Sequence, residues 1–181
     1  MSLEKLLKGL IKEKPKAQAE LYTLYSRTLF GVSLKYSRNY EEAEDNLQDA
    51  FLTIFKKIQQ YKGKGSFEGW LKRIVINKSI DMLKAKKLEL VAINEQVLGT
   101  VDEHNDWSVD DGITLDQIKE AIEELPERYR YAVMLFLVEG YDHQEISEIL
   151  EITEVASRTL VHRGKKKLQE KLKTKYHGTG Y

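Results

Sequence analysis

Apolar residues recur at three- and four-residue steps along most of the chain, glycines gather at the breaks, and proline is rare. That pattern predicts an all-α fold. Pro15 suits the first turn of a helix over 16–36, with Ala19, Tyr22, Leu29 and Leu34 turned inward. A second helix over 41–60 aligns Ala43, Leu47, Phe51, Ile54, Phe55 and Ile58. The glycine-rich stretch 61–66, YKGKGS, is a loop, and a third helix runs from Phe67 to about Lys87. Helical pattern resumes near Thr114 and breaks at Leu125-Pro126, where proline opens a helix over 127–138. Val133, Met134, Phe136 and Leu137 make that helix the core of a second helical domain.

The next pattern is a helix-turn-helix. Gly140 ends the apolar helix, and Asp142 is an N-cap with Glu145 as its capping-box partner. Ile146, Ile149 and Leu150 share one face. Ile152 then plugs a short connection, and Thr153 caps a final helix over 155–173. In that helix Val155, Thr159/Leu160 and Leu168 approach the core; Arg158, His162, Arg163, Lys165 and Lys166 face outward. A helix that reads the major groove needs side chains near its start to reach base edges and cations further along to bind phosphate.

Charge sharpens the picture. The formal net charge of zero conceals segregation: residues 1–87 carry 18 Lys and Arg against 10 Asp and Glu, 88–154 carry 3 against 18, and 155–181 carry 8 against 1. Two basic ends around an acidic middle fit two nucleic-acid footprints joined by a segment that avoids phosphate, or solvated helix faces. From 88 to 118 there is no Lys or Arg. The expected organisation is therefore two small helical domains, 1–87 and 114–175, joined by an acidic linker over 88–113, with short ordered pieces at 88–93 and around Trp107, and a flexible tail over 176–181.

Other chemistry is expected to be absent. Without cysteine there is neither disulfide nor thiolate metal site, and His104, His143, His162 and His177 have no ligand spacing, so no metal and no cofactor is predicted. The longest apolar run, 131–138, is too short to span a bilayer, and no signal peptide is expected. A soluble, cytoplasmic chain is expected.

Two blocks carry a family resemblance. Residues 125–168 give Leu125-Pro126, Arg128, Gly140-Tyr141, Glu145-Ile146, Leu150, Ile152-Thr153-Glu154, Arg158, Arg163 and Lys165-Lys166-Lys167-Leu168. They resemble the "LP…R…L…GY…EIA…L.IS.GTVKSRL.RARKKL" segment of the extracytoplasmic-function group of bacterial sigma factors. Residues 41–87, with EEAEDNLQDAF and GWLKRIVINKSID, resemble the promoter-melting domain of the same group. The two blocks cover about 16–175 in matching order.

The resemblance implies a promoter-specificity subunit of RNA polymerase with no catalytic activity. It implies docking on the clamp helices of the large core subunit through Asp45, Gln48, Asp49 and Leu52, which share one helix face. It implies an opened −10 element held by Tyr61, Lys62, Lys64, Arg73, Asn77, Lys78 and Lys84, with Asn77 in the pocket for a flipped base. By position, Arg158, Thr159, His162 and Arg163 contact the −35 element, with Lys166 on phosphate and His143 and Gln144 at its backbone or edge. Trp70 is expected in the core, and Asp81 as an internal partner for a basic residue. An anti-sigma protein is the further implied partner.

The chain departs from the pattern at Val155-Ala156, where Gly-Thr is usual, and at Leu160, where a second arginine is common. The latter implies one lost phosphate or base contact. Two other functions compete. A stand-alone helix-turn-helix regulator explains 141–173 but leaves 41–87 without a purpose. A DNA-processing enzyme finds no paired His, recognisable nucleophile or clustered carboxylates.

Overall fold

A computed structural model describes residues 2–85 and 112–176. Its contacts divide the chain into two compact units, Met1–Leu88 and Glu89–Tyr181. The acidic linker, except for its last two residues, and the tail beyond Tyr176 lie outside the described residues, as does Trp107.

The first unit opens with a helix that the sequence reading passed over, α1 (Leu3–Ile11). The Ser2 hydroxyl caps it by accepting from the Lys5 amide at 3.4 Å, and Leu6 and Leu10 are buried. Nine residues are too few for a helix to persist alone. Packing on α2 (Pro15–Lys35) supplies the rest, so closely that a Cβ on Gly9 would lie 2.7 Å from that of Ala17.

Pro15 does occupy the first turn of α2, but the inward stripe there is Ala17, Leu21, Leu29, Val32 and Ser33. Of the four residues expected inside, only Leu29 is buried; Ala19, Tyr22 and Leu34 are exposed. Apolar residues surround this helix, so its phase was not readable from the pattern. Packing against α1, α3 and α4 fixes it. Ser33 spends its hydroxyl hydrogen on the Ala43 carbonyl of α3 at 2.9 Å.

Helix α3 (Tyr40–Lys57) starts at Asn39, whose side chain accepts from the Glu42 amide at 2.8 Å. It ends in a 3₁₀ turn, Ile58–Gln60, against which α1 also packs. Buried Asn46 donates to the Ser37 hydroxyl at 2.9 Å, pinning the α2–α3 corner. Helix α4 (Phe67–Ala85) is capped by Ser66, which accepts from the Gly69 amide at 3.0 Å, and buries Leu71, Val75, Ile76, Ile80 and Leu83.

In the second unit, Thr114 and Gln117 form a capping box at the start of α5 (Leu115–Glu123). Pro126 then precedes α6 (Glu127–Val133). The expected continuous helix to residue 138 changes register at Met134–Val138, which is a π-helical turn. Tyr131 is fully buried between Arg130, which donates to its hydroxyl at 2.9 Å, and Glu127, which accepts from it at 3.2 Å. That burial pushes the phenol pKa up. The Arg128 and Lys167 cations lie 4.7 and 5.8 Å from the Tyr129 ring, tying α6 to the last helix.

Asp142 and Glu145 form the expected capping box on α7 (His143–Leu150). Thr153 caps α8 (Glu154–Tyr176) by accepting from the Ala156 amide at 3.1 Å. Helix α8 packs on α5, α6 and α7. A Cβ at Gly164 would run into Val133, so the α6–α8 crossing depends on glycine there. Val155, expected inside, is 60% exposed. The core line of α8 runs instead through Ser157, Leu160, Val161, Gly164, Leu168 and Leu172, and Val155 precedes it.

Candidate functional site

Three polar surfaces emerge from this scaffold. The first is the outer face of α3. Asp45, Gln48, Asp49 and Leu52 are all exposed, and Leu52 is 57% exposed although it is a leucine. Alanine and aromatic residues on the opposite side hold the helix down. Asp45 and Asp49 make no ion pair among the described residues. Beside this face a groove of about 330 Å³ runs between α2 and α3, walled by Tyr22, Phe30, Tyr40 and Leu47, with Arg27, Glu44 and Gln48 at its rim. Gln48 thus belongs to both the acidic face and the groove. An acidic, partly apolar surface of this kind suits a basic helical partner.

The second surface is built around the loop 61–66. Gly63 and Gly65 take φ of 73° and 75°, backbone that L side chains adopt only with strain, so the loop turns sharply there. The Tyr61 hydroxyl closes it by donating to the Gly65 carbonyl at 3.1 Å. Its ring is held between Phe67, 5.1 Å away, and Trp70, 5.6 Å away. Trp70 stacks on Phe67 at 5.9 Å with ring planes 15° apart, and Tyr25 of α2 meets Phe67 edge-on at 5.8 Å. Trp70 and Tyr61 are both half-buried, so Trp70 is a wall of this aromatic cluster and not a core residue. Tyr25 is not apparent from the sequence, because nothing local shows that α2 and the start of α4 converge.

On α4, helical spacing places Trp70, Arg73, Asn77 and Lys84 along one stripe; Lys78 lies about a third of a turn away. Lys62 and Lys64 stand exposed on the loop. The Asn77 side-chain oxygen is buried and has no hydrogen-bond partner among the described residues. An orphaned buried acceptor costs about 1–3 kcal/mol, which a donor from a bound group would recover. Asp81 does not play its expected part: it is exposed and holds no basic partner among the described residues.

The third surface is the helix-turn-helix. Arg158, His162, Arg163 and Lys166 of α8 are exposed, as is Gln144 of α7. Arg158 is held at 2.6 Å by Glu154, one turn earlier, a partner the sequence reading did not name. Two expectations need correction. Thr159 is 2% exposed and its hydroxyl donates to the Val155 carbonyl at 3.0 Å, so it presents nothing to DNA here. Leu160 is 4% exposed on the core line of α8, so an arginine contact is not what this position lacks. His143 is half-buried, with its ring against Phe136 and Ser157.

Among the described residues no cluster of His, Asp and Glu could hold a metal ion, and no helix is long and apolar enough to cross a membrane.

Residues 21–89 match the family described as Sigma-70 region 2, and residues 115–168 match Sigma-70, region 4. The ECF RNA polymerase sigma factor SigW of Bacillus subtilis is 28% identical over 184 residues, covering 96% of this chain and 98% of its own length. The RNA polymerase sigma factor SigZ of the same species is 30% identical over 132 residues, covering 71% of this chain and 72% of SigZ. The ECF sigma factor SigE of Mycolicibacterium smegmatis is 29% identical over 156 residues, or 84% of this chain, which spans 60% of that longer protein. A solved structure of the sigma factor RpoE with the anti-sigma factor NepR, from Bartonella quintana, aligns with a TM-score of 0.55 at 21% identity. It covers 87% of this chain and 97% of the RpoE chain, a likeness of fold.

Proposed function

The chain belongs to the extracytoplasmic-function group of sigma-70 family RNA polymerase sigma factors, and from that premise we propose how its surfaces divide the work of initiation. The α3 face of Asp45, Gln48, Asp49 and Leu52 docks on the clamp helices of core polymerase. The loop 61–66 and α4 take the opened −10 element. Lys62, Lys64, Arg73, Lys78 and Lys84 hold phosphates, the aromatic cluster braces the strand, and the orphan Asn77 oxygen accepts a hydrogen bond from a flipped base. Helix α8 reads the −35 element through Arg158, His162 and Arg163, with Lys166 and Gln144 on the backbone. The protein itself catalyses no step, and it acts in the cytoplasm. The Bartonella relative was solved with an anti-sigma factor, which supports a regulatory partner of that kind here.

One observation carries this reading. A single unit holds both an exposed acidic face on α3 and, on α4, a basic stripe with an orphaned amide about two turns beyond stacked aromatics. A stand-alone helix-turn-helix regulator has no use for either. The test is in-vitro transcription with bacterial core polymerase on a sheared genomic library, mapping RNA 5′ ends. Discrete starts that require the protein are expected. Tight, specific duplex binding by the protein alone, with no dependent starts, would replace this reading with the regulator.

A further inference from the structure

His143 opens α7, and its ring is already engaged. It stacks on Phe136 with centroids 4.9 Å apart and planes 19° apart, and its Nδ1 lies 3.1 Å from the Ser157 hydroxyl. Ser157 is fully buried in the first turns of α8 and immediately precedes Arg158. Phe136 comes from the π-helical turn Met134–Val138, whose wider register sets where that ring points. The same ring takes the Lys165 ammonium at 5.8 Å, about two turns further along α8. The Phe136–His143 pair therefore touches α8 at two levels, once through a hydrogen bond and once through a cation over a ring. The start of α7 is itself fixed by the Asp142–Glu145 capping box, so the imidazole is presented from a rigid mount.

We propose that His143 is a positioning residue for the reading helix, not a DNA contact: through Ser157 it fixes the rotation at which α8 presents Arg158 and His162 to the −35 element. This rests on the reading of α8 as the −35 helix. A helix turns as one body, so holding Ser157 sets the direction of every side chain in the following turn. Base readout by a forked arginine is intolerant of misdirection.

The experiment uses holoenzyme assembled from core polymerase and the full chain, and a promoter recovered by start-site mapping. Affinity is measured for that promoter and for the same fragment with its −35 element scrambled, alongside thermal midpoints, for Ser157→Ala, His143→Phe, His143→Asn and the Ser157→Ala/His143→Phe double variant. Phenylalanine keeps the stack and removes the nitrogen; asparagine restores a polar group near Nδ1. Ser157→Ala and His143→Phe are each expected to reduce discrimination between the two fragments by roughly three- to tenfold, the worth of one hydrogen bond. The double variant should be no worse than either, and His143→Asn should recover part of the loss. Affinity for the scrambled fragment should not change. A defect in His143→Phe with wild-type behaviour in Ser157→Ala would make His143 a direct DNA contact and overturn the proposal. Wild-type discrimination in both would reduce the ring to packing and overturn it equally. A wild-type holoenzyme indifferent to scrambling would instead remove the −35 reading, and the proposal with it.

Discussion

Among the described residues, left-handed backbone falls at Gly63, Gly65 and Gly140, but also at Glu13 (φ 51°) and Glu151 (φ 54°). A Cβ in that region costs about 1–2 kcal/mol, which glycine avoids. Glu13 closes the α1–α2 turn, where its amide donates to Leu10 at 2.9 Å and its side chain is exposed. Glu13→Gly should therefore stabilise the first unit by about 0.5–1 kcal/mol after glycine's entropy cost, a rise of a few degrees in its thermal midpoint. No rise on calorimetry would mean that the carboxylate does something the turn geometry hides. Arg158 is held by a neighbour on its own helix. Its ion pair with Glu154 is exposed on both sides and adds little stability, yet it restrains the guanidinium proposed to read the −35 element. Glu154→Gln should lower discrimination for the −35 element by about threefold while raising affinity for unrelated DNA, because a carboxylate near phosphate is lost. In an Arg158→Ala background, the same change should leave discrimination untouched.

At the scale of elements, the C-terminal half of α8 is clasped to α5. Glu124 accepts from Lys175 at 2.6 Å and Lys171 at 3.1 Å, and Lys175 also lies 3.2 Å from Glu120. Hydrogen bonds from Lys175 and then Lys171 hold the Glu124 carboxyl below its ordinary 4.5, and the bond to Glu124 holds the Lys175 amine above its ordinary 10.5. A carboxylate depressed in the folded state adds stability above its unfolded pKa and loses it as pH falls through the folded one. A raised lysine adds stability below its unfolded pKa and loses it as pH rises through the folded one. The clasp is therefore closed through the neutral range and opens at both extremes. Glu124→Gln should speed amide exchange at the end of α8 at pH 7, with the difference from wild type shrinking as pH falls through the lowered pKa of Glu124; a difference that did not shrink in acid would assign the protection to packing alone. These elements also show what could be read in advance. The helix-turn-helix was legible to its caps, because Asp142, Glu145 and Thr153 announce themselves locally. Helix α1, the phase of α2 and the π turn at 134–138 were not, because long-range packing decides each of them.

At the scale of the whole molecule, the same division governs the site. Residues that share one helix, such as Asp45, Gln48, Asp49 and Leu52, could be grouped by spacing alone. The aromatic cluster of Tyr25, Tyr61, Phe67 and Trp70 joins three separate segments, and the part Tyr25 plays in it became visible only in the fold. What the two kinds of site share is independence, since the α3 face and the α4 stripe belong to one unit yet present different helices. If docking and opening are separate functions of that unit, single substitutions should separate them. Asp45→Ala and Leu52→Ala remove exposed groups and should leave the fold intact; each should weaken binding to core polymerase by at least about 1 kcal/mol, or roughly fivefold. Asn77→Ala should bind core as wild type does and still protect the −35 element in a footprint. It should fail to expose −10 thymines to permanganate, because the flipped base loses its acceptor while the cost of unpairing remains. A loss of core binding in Asn77→Ala would show that the two helices act as one surface. Full permanganate reactivity in that variant would transfer base capture from the amide to the aromatic wall.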